Sequence, residues 1–155
     1  MIDDSALRRL MNAIASGDGA AALDMLSASP ALATAALKQG ATRAAATDNF
    51  LTGISHYVYA GDTALHVAAA AHRPEIARSL IDLGADVAAR NRRGATPLHY
   101  AVDGSPGSPR WNPAHQAEMI AALIASGADP NASDKNEVRP CIAPSEPGAR
   151  LRWAL

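Results

Sequence analysis

A 33-residue repeat decides what this chain can become. Gly61-Asp62-Thr63-Ala64-Leu65-His66-Val67-Ala68 returns 33 residues on as Gly94-Ala95-Thr96-Pro97-Leu98-His99-Tyr100-Ala101. A second marker, Leu83-Gly84-Ala85-Asp86-Val87, returns 43 residues on as Ser126-Gly127-Ala128-Asp129-Pro130. The ten extra residues correspond to the Gly/Pro/Ser-rich stretch 103–113, which contains Trp111 and reads as an insertion within one unit. Fixed-period self-similarity implies units that bury their apolar faces against one another instead of closing one deep core. Composition agrees. Hydrophobic residues make up 48% of the 155, yet 37 of them are alanine and Phe50 is the single phenylalanine. Thin helical layers in close approach are the expected packing.

Each part of the unit has a local cause. Thr63 and Thr96 stand where helix N-caps should be, with Pro97 at the first helical position, where its missing N–H costs nothing. Leu65, Ala68 and Ala69 follow at helical spacing. A second helix is predicted over 74–83, with Ile76, Leu80 and Leu83 on one face and Gly84 ending it in the left-handed conformation. The segment 86–93 then runs out and back to the next cap.

That helix–turn–helix unit, with Thr96-Pro97-Leu98-His99-Tyr100-Ala101 and Gly84-Ala85-Asp86-Val87 in register, resembles the ankyrin repeat, and the alanine- and arginine-rich composition is similar to bacterial members. Ala64 stands where the family has proline. The resemblance implies an all-α solenoid of paired helices with extended finger turns. It divides the chain into a repeat domain over 1–136 and an off-pattern tail over 137–155. Within the first lie a degenerate unit at about 5–30, an irregular insertion at about 31–60 and repeats at about 61–93 and 94–136. In the degenerate unit, 5–16 forms one helical pattern with Leu7, Leu10, Met11 and Ile14 on a face, and 18–26 another with Ala22 and Leu26 inward. The aromatic run Ser55-His56-Tyr57-Val58-Tyr59-Ala60 is expected to hold a helix end followed by a strand.

The tail breaks the period: Glu137-Val138-Arg139-Pro140-Cys141-Ile142-Ala143-Pro144 stands where a third capped helix is due, and Pro144 and Pro147 forbid that helix. Codons permitted for 140–145, read one base earlier, allow Leu-His-Arg-Ala-Val, so a shifted reading frame is the expectation. The alternative is a divergent cap, with Leu151, Trp153 and Leu155 covering the last helix. If the tail does not cover Met119, Ile120, Leu123 and Ile124, self-association through that end is expected.

Several chemistries are excluded. The net charge of −1 supplies no basic field for nucleic acid, and one cysteine, Cys141, permits no internal disulfide framework or multi-cysteine metal knuckle. No segment approaches the length of an apolar membrane span, and the start lacks the pattern of a secretory signal, so a cytoplasmic location is expected. No cofactor or metal is expected. His66 and His99 lack further ligands at metal spacing and are assigned, from the resemblance, to bonding the backbone and the capping threonine; His72 and His115 are read as solvent-facing. Gly104-Ser105-Pro106-Gly107 is no phosphate loop, because lysine is missing and proline removes donors. A hydrolase centred on His56 and Asp62, with Ser55, lacks an elbow or oxyanion motif. The resemblance implies instead non-catalytic recognition of a protein partner through the concave face and finger turns. An inhibitory or regulatory subunit of an enzyme is the alternative. Candidate contacts are Arg90, Asn91, Arg92 and Arg93 at one finger tip, Val67 and Tyr100 in the groove, and the aromatic residues Trp111 and Tyr57.

Overall fold

The computed structural model describes residues 3–42, 49–51, 54, 56–102 and 112–135, with only the backbone of His56. The 103–110 stretch, Ser55, Trp111 and the tail 137–155, with the expectations attached to them, lie outside the described residues.

Six α-helices fall among those residues: α1 (Asp4–Ser16), α2 (Gly19–Ala28), α3 (Ala64–Ala70), α4 (Pro74–Asp82), α5 (Pro97–Val102) and α6 (Pro113–Ala125). A 3-10 turn spans Pro30–Ala33, and β1 (Phe50–Leu51) pairs antiparallel with β2 (His56–Tyr57). The Ser55–Ala60 run thus holds a strand and, among its described residues, no helix end.

Helix ends follow side-chain chemistry. The Asp3 carboxylate accepts from the Ala6 amide at 2.9 Å, and Asp18 does the same for Ala21 at 3.0 Å. In α3 the cap is reciprocal: Thr63 Oγ1 accepts from His66 N, while His66 Nδ1 accepts from Thr63 N at 3.1 Å. This is a capping box with histidine in the usual place of Glu. Thr96 N donates to His99 Nδ1 at the same 3.1 Å. Asn112 caps α6 through Ala114 and His115. Gly84 closes the turn after α4 at φ +102°.

The helices form two layers. α1, α3 and α5 pack side by side as the inner layer; α2, α4 and α6 lie behind them, each against its own inner partner. Leu7, Leu10, Met11 and Ile14 of α1, with Ala22 and Leu26 of α2, are buried as expected. Alanine lets the layers close: Ala64, Ala68, Ala69, Ala77 and Ala101 are fully buried. Leu83 departs from its expected place. It follows the last residue of α4, where the chain leaves the helix, and is 41% exposed.

Extended segments carry the chain between layers and bond across units. Leu37 N donates to Asp62 O, Gly61 N to Leu37 O and Ala41 N to Val58 O; Arg92 N reaches Ala60 O and Lys135 N reaches Arg93 O, all at 2.7–2.9 Å. Gly61 (φ +89°) and Gly94 (φ +77°) permit this approach. A Cβ at Gly61 would lie 2.8 Å from Asn91 Cα, and one at Gly94 2.9 Å from Lys135 N. Both glycines are therefore required by conformation and by space.

Two further expectations change. His72 is buried, because its left-handed backbone (φ +54°) turns the ring inward, where Nε2 donates to Ala101 O at 3.1 Å. Met119, Ile120 and Leu123 are buried, α6 packing on α4 and α5, and Ile124 alone of the four is exposed, at 39%.

Candidate interaction surface

A buried polar network fixes the finger between α4 and α5. Asn91, 5% exposed, accepts from Arg93 N at 2.9 Å and Ala95 N at 3.0 Å through Oδ1, which folds the finger tip into a tight turn. Its Nδ2 donates to Asp62 Oδ1 at 2.9 Å and to Tyr100 Oη at 2.7 Å. Tyr100 Oη donates in turn to Asp62 Oδ2 at 2.9 Å, and Tyr59 N to the same oxygen at 2.8 Å. Asp62 is thus a buried acceptor shared by three elements, which is how an interior carboxylate is made tolerable. His66 joins alongside. Its Nδ1 accepts from Thr63, so the proton sits on Nε2, which donates to Ala95 O at 3.0 Å in the next unit. Burial, then the neighbouring Asp62 carboxylate, push the Tyr100 hydroxyl pKa far above its ordinary value.

This geometry re-sorts the candidate contact residues. Val67, Asn91 and Tyr100 are buried, at 1%, 5% and 5% exposure, and hold the scaffold together. Val67 packs in the inner layer because α3 is covered on both sides, by α1 and α5. Asp62, a member of the hydrolase reading, spends its lone pairs on Asn91, Tyr100 and Tyr59. His66 and His99 have the capping roles expected of them. Among the described residues no group of three or more His, Cys, Asp or Glu could hold a metal ion, and no helix is long and apolar enough to cross a membrane.

Of the exposed candidates, Arg92 and Arg93 meet at Tyr59, whereas Arg90 turns to the next unit. Arg90, Arg92 and Arg93 are exposed, and each guanidinium is oriented. Arg90 Nη1 donates to Gly94 O and Ser133 O, at 2.9 and 2.7 Å, and Arg92 Nη2 to Ala41 O at 3.0 Å. Arg93 Nη1 donates to Tyr59 Oη at 3.1 Å. The Cζ atoms of Arg92 and Arg93 stand 6.0 and 5.2 Å from the Tyr59 ring centroid, within cation–π reach. Val58 is buried between Tyr57 and Tyr59, so alternation along the extended segment sends both tyrosines to the opposite side. Tyr57 stacks at 4.8 Å and 55° on Phe50, its partner across the strand pair, and the two stay 40% and 37% exposed. Tyr59, weighed with Tyr57 as an aromatic candidate, takes part; Phe50 and Gln116 are residues that sequence reasoning missed. Of these two, only Phe50 has a signal that could have found it, its register against Tyr57, and that signal exists only given the strand pair. Gln116 is buried and donates to Ala101 O at 3.0 Å.

The family model described as "Ankyrin repeats (3 copies)" matches residues 10–134. The chain belongs to the ankyrin-repeat family. Human neurogenic locus notch homolog protein 4 is 48% identical over 48 residues, a stretch covering 31% of this chain and 2% of that protein. Ankyrin repeats are generally protein–protein interaction modules, non-catalytic in type. The paired helical layers, finger ladder and His66 and His99 caps are the physical form of those repeats here.

Proposed function

We propose that this ankyrin-repeat protein is a non-catalytic recognition module that binds a protein partner through its finger surface. The observations that carry the reading are an exposed Phe50–Tyr57 pair and, two residues on along the same side of the extended segment, Tyr59 with the oriented guanidiniums of Arg92 and Arg93 beside it. Aromatic and arginine side chains dominate binding energy at interfaces, and pre-ordered ones lose less entropy on association. Arg90 and Asn91 belong to the same finger, one as a further exposed cation and the other as the buried post beneath it.

The test is affinity capture from cell lysate with cross-linking to locate the contact. Capture by the wild-type chain should cross-link around 50–59 and 90–93 and fall several-fold for Tyr57→Ala. Arg78→Glu, which alters an outer-layer ion pair with Glu118, should leave it unchanged. Cross-links confined to the outer helices, or no specific partner at all, would overturn the reading.

A further inference from the structure

The three finger arginines are oriented by neutral groups alone. Their hydrogen bonds end on the carbonyls of Gly94, Ser133 and Ala41 and on the Tyr59 hydroxyl, and among the described residues none of them pairs with a carboxylate. The outer layer differs: Arg73 meets Glu75 at 2.7 Å, and Arg78 meets Glu118 at 3.0 Å. Among the described residues, the outer-layer arginines Arg73 and Arg78 are thus paired with carboxylates, and the finger arginines are not. Guanidiniums each carry five N–H donors in a fork that matches carboxylates, and those used here occupy one nitrogen apiece. Their side chains are already ordered, so a ligand need not order them.

We propose that the surface formed by Phe50, Tyr57, Tyr59, Arg92 and Arg93 takes an acidic peptide segment of the partner. Carboxylates of that segment engage Arg92 and Arg93, and a neighbouring apolar side chain lies on the Phe50–Tyr57 pair. The inference rests on the recognition reading above and adds the partner's chemistry. A single-stranded nucleic acid would use the same side-chain types. It needs a basic groove along its backbone, however, and the whole chain has a net charge of −1.

The experiment is selection of a random displayed 12-residue peptide library on the full chain. Fluorescein-labelled synthetic versions of enriched sequences are then measured by anisotropy, with a 12-nucleotide oligothymidylate as competitor. Enrichment of Asp/Glu with an adjacent apolar residue is expected. Binding should weaken about tenfold for Tyr57→Ala and more for the Arg92→Glu/Arg93→Glu pair, and should fall with added salt. Thermal unfolding checks each variant. If the double charge reversal disturbs the fold, Tyr57→Ala, altering an exposed ring, decides alone. Enrichment without acidic character, acidic binders indifferent to Tyr57→Ala, tighter binding of oligothymidylate, or no enrichment each overturn the inference. Non-acidic peptides lost with Tyr57→Ala would sink only the acidic chemistry and leave protein recognition by this surface standing. Lysate capture that survives both variants would sink the recognition surface itself.

Discussion

The junction between α1–α2 and α3–α4 and the junction between α3–α4 and α5–α6 are built from the same helix pairs but held differently. The first relies on large apolar side chains, Leu7, Leu10, Met11 and Ile14, with exposed polar ties at its edge. There the Asp4 carboxylate accepts from Lys38 N and Gln39 N, at 3.0–3.1 Å, and Arg8 donates to Gln39 O at 2.8 Å. The second has a buried polar seam in which Asp62, His66, Asn91 and Tyr100 cross from one unit to the next. Apolar packing is tolerant of sequence; a buried carboxylate with three donors is not. The repeat signature survives where side chains bond across the junction and fades where apolar volume suffices.

Either junction can be broken by a single change. Leu10→Ala should be the most costly, at about 3 kcal/mol in chemical unfolding, since the residue is fully buried and its cavity has few ways to collapse. Asp62→Ala follows, at about 2–3 kcal/mol, because it strands the Asn91 amide, the Tyr100 hydroxyl and the Tyr59 N–H. A loss below about 0.5 kcal/mol would show that the seam is not a structural tie. Thr96→Ala, removing the hydroxyl that meets His99 Nδ1 at 2.9 Å, should cost about 1 kcal/mol.

The seam also sets an alkaline limit. Tyr100 keeps its proton in the folded chain above the ordinary value of 10.0, while an unfolded tyrosine loses it. Native Tyr100 then binds more protons than unfolded Tyr100, so its contribution is fully present below about pH 10 and is lost as pH rises beyond it. Tyr100→Phe should flatten the decline of the unfolding midpoint between pH 9 and 11; an unchanged slope would refute this. The smallest effect is expected for Asp4→Ala. Its bonds to Lys38 and Gln39 are exposed, so the change should cost under about 1 kcal/mol.

The helices, their caps and the glycine turns are legible in the repeat itself, because each is a local consequence of a residue at a fixed place. The interior of the finger is less legible. The position of Tyr100 and Val67 along their helices suggests a groove; Val67 is buried because α1 and α5 close over α3, and Tyr100, on α5, because its ring meets His66 and its hydroxyl bonds Asp62 and Asn91. Asn91 sits among three arginines and reads as part of a charged tip, yet its amide points inward to Asp62, 29 residues away in sequence. His72 reads as a loop residue; nothing local announces a histidine in the left-handed conformation that Gly17 adopts at the end of α1. The Phe50–Tyr57 pair depends on a strand register that two-residue strands do not display in sequence.

Asn91, held by Asp62 and Tyr100, sets the conformation of the finger that carries Arg92 and Arg93. Residue-resolved hydrogen exchange on the wild-type chain and on Asn91→Ala tests this most directly. The amides of Arg93 and Ala95, which donate to Asn91 Oδ1, should lose protection by about tenfold or more, while those of α1 and α2 keep theirs. Unchanged protection at Arg93 and Ala95, or a loss spread evenly through α1 and α2, would contradict it.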